Sequence, residues 1–144
     1  MKTYEIINHT ADIGIKVYGR DLNALFFNAA HAMFEIMLEV IKKIPMFQKE
    51  ERKRFLLNKQ GNNLEEILVF WLSELLYLFF AEGLIMDKAD IQKLDSSCIQ
   101  AEVTGRVFSP DFYRIKTEIK AVTFHELEVK DTGQGYEAQV IFDV

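Results

Sequence analysis

Between Asp21 and Ile41 the apolar residues recur at three- and four-residue steps: Leu22, Leu25, Phe26, Ala29, Met33, Ile36, Met37 and Val40. That spacing puts them on one face of an amphipathic helix, predicted from about Leu22 to Ile41. Asp21 stands at its start, where a carboxylate can accept from the free N–H groups of the first turn. Pro45 keeps it from running on. The most apolar stretch, Leu64–Phe80, opens with Asn63 and Glu66 at the spacing of a capping box, and Gly83 follows it where a helix end favours a left-handed residue. The second predicted helix therefore runs from Leu64 to about Glu82. Its apolar residues occupy nearly every face, which predicts a central helix packed on a sheet and on the first helix.

Elsewhere the period is two. Thr3–Ile7 has strand character, and Ile13, Ile15 and Val17 alternate with Gly14, Lys16 and Tyr18. Arg52–Leu57 reads as a strand and Asn58–Asn63 as a turn. Beyond Leu84 strands dominate: Ile99–Val107, then Ile115–Val122 after the turn at Ser109-Pro110-Asp111, then an extended His125–Lys130. Asp131–Gly135 forms a hairpin loop before a last strand over Tyr136–Phe142. The sum is an α+β fold, a mainly antiparallel sheet with two long helices packed on it.

A chain of 144 residues with 49% hydrophobic and 27% charged composition is long enough for one domain, 1–144, with its own core, and it is not disordered. A single cysteine, Cys98, excludes an internal disulfide and a finger-type zinc site, and fits a reducing compartment. The early residues include Glu5, Asn8, His9 and Asp12 where a signal peptide needs an apolar run, and the apolar stretch at 64–80 contains Glu65, Glu66 and Glu74. Those features predict a cytoplasmic protein that does not cross a membrane. The net charge of −5 argues against binding nucleic acid by phosphate neutralisation. The charge is uneven: Lys42–Arg54 carries +4, leaving −9 elsewhere. A solvated surface is the plain account of that segment, and a basic contact with a partner is the other.

No phosphate-binding glycine loop, nucleophile elbow or H-E-x-x-H occurs. His31 lies mid-helix on the flank of the apolar stripe, as a structural residue would, and Cys98 has no neighbouring base to activate it. Three polar spots remain: His9-Thr10-Ala11-Asp12, Lys120 with His125 and Glu126, and Asp143 beside the carboxylate expected on Val144. Fixed in a strand, Asp143 and that carboxylate repel and need a partner. A hard divalent cation takes such oxygens, and Asp12 completes the set if the strand at Ile13 lies beside the last strand. A salt bridge from Lys120 is the competing account.

His9-Thr10-Ala11-Asp12 followed by Gly14, Lys120-Ala121-Val122-Thr123-Phe124-His125, and Val140-Ile141-Phe142-Asp143-Val144 together resemble the archease family in order and spacing. The resemblance implies a metal site at Asp12, Asp143 and Val144, with Ca²⁺ the first choice and Mg²⁺ or Mn²⁺ as alternatives. It also implies a functional lysine at Lys120, and it places His9 and His125 in the motifs. Its activity would be that of an accessory protein, not an enzyme. The expected partner is an RtcB-type RNA ligase of tRNA splicing and RNA repair, whose GTP- and metal-dependent guanylylation and multiple turnover the protein promotes. On that reading no residue is catalytic, nucleotide is held by the ligase, and RNA is met only through it. Two other classes fit the same residues: a small metal-dependent hydrolase using Asp12, Asp143, His9 and His125, and a chaperone-like binding module.

Overall fold

The computed structural model describes residues 2–8 and 11–144, with Asn8 described by its backbone alone. Nine strands and two helices follow in the order β1 (Tyr4–Asn8), β2 (Asp12–Gly19), α1 (Leu22–Met37), β3 (Leu38–Val40), β4 (Arg52–Gln60), α2 (Leu64–Glu82), β5 (Leu84–Leu94), β6 (Cys98–Val107), β7 (Tyr113–Ile115), β8 (Ala121–Asp131) and β9 (Tyr136–Asp143). All pairings are antiparallel. They build a four-stranded sheet β1-β2-β9-β8, a three-stranded sheet β4-β6-β5 and a small pair β3-β7. The fold is α+β, as the periodicities predict.

The helices fill the space against these sheets. Trp71 of α2 is fully buried, and its indole N–H donates to the Phe26 carbonyl of α1 at 3.0 Å. That satisfies the one polar atom a buried tryptophan brings into a core. The core continues through Ile15 and Val17 of β2, Val103 of β6 and Val140 and Phe142 of β9. Both predicted caps form: Asp21 Oδ1 accepts from the Ala24 N–H at 2.8 Å, and Asn63 Oδ1 from the Glu66 N–H at 2.8 Å. Glu66 reaches back to the Asn62 N–H at 2.9 Å, one residue earlier than a standard capping box. Gly83 closes α2 at φ 73°, the left-handed region that glycine enters without a Cβ penalty.

Four local expectations change. The first helix stops at Met37, four residues before Ile41, because Leu38–Val40 pairs with Tyr113–Ile115. The Met37 carbonyl is then taken by the N–H groups of Lys116 and Thr117 at 2.9 and 3.3 Å, so strand pairing and not Pro45 ends the helix. The same contacts break the expected strand over Ile115–Val122: residues 116–120 lie outside any strand, and β8 opens only at Ala121. Alternation there tracked burial, with Ile119 inside and Lys120 outside, without ladder pairing. The strand expected over Arg52–Leu57 extends to Gln60 and takes half the predicted turn. Last, His125–Lys130 does not run evenly extended. Thr123 pairs with Ile141 and Glu128 with Gln139, so residues 124–127 face Val140 alone. Such a bulge sharpens the local bend and throws side chains outward. Within it Glu126 adopts φ 49°, a left-handed value that non-glycine residues rarely take.

Candidate functional site

One end of the four-stranded sheet gathers the residues that the sequence singles out. Asp12 opens β2 and Asp143 closes β9, and the two are direct partners in the antiparallel register. Facing partners on adjacent strands point their side chains to the same face, with Cβ atoms about 4.5–5.5 Å apart. Asp143 is also the ladder partner of Ala121 in β8, and its carbonyl accepts from the Lys120 N–H at 2.8 Å. Three chain segments therefore meet at this edge through main-chain bonds. The placement follows from the strand order: the sheet sets the first motif-bearing strand beside the last and β8 on its other side.

Asp143 and Lys120 are exposed and Asp12 is half-buried. Among the described residues, none of the three side chains forms an ion pair or a hydrogen bond. The Lys120 salt bridge weighed against a cation site is absent from this geometry. Two carboxylates directly opposite on neighbouring strands repel, and the described protein groups supply no counter-charge. Val144 follows Asp143 immediately and is half-buried against the core.

His125 is not drawn into this edge. It rides on the β8 bulge with its ring exposed, its main-chain N–H bonded to Thr123 Oγ1 at 3.3 Å and its Nε2 3.9 Å from Glu126. His9 lies outside the described residues. Among those described, no three His, Cys, Asp or Glu side chains converge as a metal-binding group. The donors in hand are thus two carboxylates and the main-chain oxygens of Val144, all hard oxygen ligands and suited to Ca²⁺, Mg²⁺ or Mn²⁺. Binding through one oxygen each, they leave a coordination shell of six to eight oxygens part-filled, with room for water or for groups from another molecule.

The other residues weighed in the sequence take ordinary places. Cys98 is buried, and His31 is exposed, stacked on Phe27 at 6.3 Å and 3.4 Å from Glu35. Within the basic segment, Arg52, Lys53 and Arg54 pair with Asp87, Glu82 and Glu102, while Lys42, Lys43 and Lys49 stay in an exposed loop. A cavity of about 850 Å³ lies elsewhere, between α1, β3 and β5. Beside the candidate edge the sequence missed one feature. Phe80, one of the apolar residues that led α2 to be read as covered on most sides, is 51% exposed, and Tyr77 beside it is 63% exposed. The hydroxyl-bearing Ser73 and Tyr77, four apart within the most apolar part of the helix, are the signal that could have marked that face.

Residues 4–144 match the Archease protein family (MTH1598/TM1083). The chain is 37% identical to the protein archease of Methanosarcina mazei over 99% of its own length and 97% of the relative's. It is 33% identical to that of Sulfurisphaera tokodaii over the whole of both chains. The solution structure of Methanobacterium thermoautotrophicum protein 1598 superposes over all of both chains with a TM-score of 0.74 at 33% identity. The crystal structure of a Thermotoga maritima archease, described as a possible chaperone, shares the fold with a TM-score of 0.66 at 22% identity, covering 96% of this chain and 94% of that one. No helix among the described residues is long and apolar enough to cross a membrane.

Proposed function

The chain belongs to the archease family, and from that premise we propose that it is a metal-binding accessory protein that activates an RtcB-type RNA ligase. The observation that carries this reading is the facing pair Asp12 and Asp143 at an exposed sheet edge, without a protein counter-charge among the described residues. Asp12, Asp143 and Val144 would hold a hard divalent cation, Ca²⁺ before Mg²⁺ or Mn²⁺, which supplies the positive charge that this edge lacks. Lys120 is fixed next to the pair through its main chain and keeps its ammonium free for an anionic group of the ligase. Asp143 and Lys120 are exposed here, which suits meeting another active site better than enclosing a small substrate. The role fits GTP held by the ligase, RNA met only through it, and promotion of its guanylylation over repeated turnovers. The test is guanylylation of the cognate ligase with GTP and a divalent cation, with and without this chain. Faster and repeated guanylylation is expected; no change at any concentration overturns the proposal.

A chaperone-like role is the second reading, and a specific observation favours it. Met46 and Phe47 are 103% and 92% exposed, in the loop after β3, where Ile41 and the strand-end Val40 are exposed as well. Suppression of a client's aggregation that persists in chelator would support it, since that apolar loop needs no cation.

A further inference from the structure

We propose that the exposed aromatic face of α2 beside the acidic edge is a docking surface for a protein partner that offers an apolar side chain next to a carboxylate. The inference rests on the reading that this chain works on a ligase, and it names where the ligase grips. Phe70, Ser73, Tyr77 and Phe80 stand at the steps of one helical face. Phe124 extends that face from the β8 bulge, 57% exposed and edge-on to Phe70 with ring centroids 6.3 Å apart. A groove of about 340 Å³ separates Tyr77 and Phe80 from Lys120, Ala121 and Val122 at the start of β8. Its floor is thus one ladder step from Asp143, which pairs with Ala121. A partner that reaches the acid pair covers this groove as well.

Charge selects the occupant. Glu74 of α2 is engaged by Lys59 at 3.4 Å, so the charge left at the groove is the ammonium of Lys120, which among the described residues has no ion pair. An apolar wall with one free cation fits a protein side chain beside a carboxylate. Anionic lipid would meet the exposed Asp143 with one lysine to offset it. Tyrosine is among the residues that dominate interface energetics, because it buries a large rigid area at small entropic cost.

The experiment compares the wild-type chain with Tyr77→Ser and with Tyr77→Ser/Phe80→Ser, in binding to the purified cognate ligase and in Ca²⁺ titration. Tyr77 forms no side-chain hydrogen bond or ring contact among the described residues, whereas Phe80 packs edge-on to Phe79 at 5.0 Å, so the single variant guards against a folding defect. At least tenfold weaker ligase binding by both variants is expected, with Ca²⁺ affinity unchanged and Tyr77→Phe binding as wild type does. Ligase binding within twofold of wild type by both serine variants overturns the docking surface and leaves the proposed function standing. A ligase that neither binds nor responds to the wild-type chain overturns both. A wild-type dimer that the serine variants convert to monomer assigns the face to a second copy and overturns the proposal.

Discussion

The three-stranded sheet and the acidic end of the four-stranded sheet treat charge in opposite ways. On the three-stranded sheet four cations are matched. Arg52 meets Asp87 with two hydrogen bonds at 2.9 and 2.7 Å, Lys53 lies 3.6 Å from Glu82, Arg54 3.8 Å from Glu102, and Arg106 2.9 Å from Glu50. At the end of the four-stranded sheet, two acids face each other and a lysine sits beside them, and among the described residues none is paired. Four cations of the three-stranded sheet are thus neutralised by neighbouring acids. Strand pairing alone holds Asp12 against Asp143, at an electrostatic cost that the described protein groups do not offset. A cost retained at one edge and removed at the other marks where an outside charge is expected to bind.

The largest effect expected from this contrast is on the acids themselves. Asp143→Asn, or Asp12→Asn, should abolish activation of the ligase and lower Ca²⁺ affinity at least tenfold, because affinity follows ligand charge. The same substitution in metal-free protein should raise stability by a few tenths of a kcal/mol, the scale of a relieved like-charge pair. Calorimetric titration and denaturant unfolding in chelator check the two arms. A loss of stability in chelator would mean that the carboxylates have protein partners and that the contrast between the sheets is false.

Next comes the chain beyond Asp143. In a chain that ends at Val144, a tag added after it replaces the terminal carboxylate with an amide carbonyl and crowds the edge, so Ca²⁺ affinity and ligase activation should fall together. β9 is held on both sides by β2 and β8, so the melting temperature should hold. A tag before Met1 should do less. Equal Ca²⁺ affinity and equal activation for untagged, N-tagged and C-tagged chains would remove Val144 from the ligand set.

Lys120→Ala should impair activation and leave Ca²⁺ affinity and the fold in place, because its side chain is exposed and its structural bond to Asp143 is made by the main chain. The expected stability change is within about 0.5 kcal/mol, as for other surface substitutions. A large drop in melting temperature would reassign the lysine to the fold.

The contrast between the sheets is only half legible in the sequence. Local chemistry marks the ends of α2, because Asn63 and Gly83 satisfy backbone groups that any helix leaves open. It also marks β9, where alternation and burial coincide. The end of α1 is hidden, because Leu38–Val40 carries the apolar pattern of a helix yet is claimed by Tyr113–Ile115, a partner far along the chain. The β8 bulge is hidden likewise, since no periodicity announces four residues set against Val140. For the site, spacing offers Asp12, Lys120 and Asp143 as separate acids and a base. Their meeting depends on strand order and register, which pairwise contacts between distant segments decide. The exposed face of α2 escaped for a related reason: a helix with apolar residues on nearly every face reads as covered, and which residues the other elements leave uncovered is decided by tertiary packing.

On the charge-matched sheet the expected effects are smaller. Arg52→Ala removes the bidentate pair with Asp87, whose partners are both more than a third exposed. Solvent screening limits such a pair to about 1 kcal/mol or less. Unfolding in denaturant should register that loss, with ligase activation and Ca²⁺ affinity unchanged. An Arg52→Ala protein that loses activation would show that the matched sheet also takes part in the partner's binding.

The smallest expected effect concerns an acid that does have protein donors, at the turn joining β5 and β6. The Asp95 carboxylate accepts from the Ser97 N–H at 2.8 Å and from the Cys98 N–H at 3.1 Å. These two bonds, Ser97's first, hold its pKa below the ordinary value. The folded state therefore binds this proton less tightly than the unfolded chain does. Its stabilisation is fully present above the unfolded pKa of about 3.9 and fades as pH falls through the lower folded value. Asp95→Asn keeps an acceptor oxygen but no charge, so its melting temperature should fall slightly below wild type near neutrality. That gap should begin to close as pH drops below about 4 and vanish below the lowered folded value, where the wild-type carboxylate is protonated as well. Because Asp95 is exposed, the gap should be smaller than the loss from Arg52→Ala, and it should shrink with added salt as surface charge interactions are screened. A gap that stays constant to the lowest pH at which the fold survives would show that the carboxylate's charge contributes nothing at this turn. Donors would then not be what separates stabilising acids from poised ones in this protein.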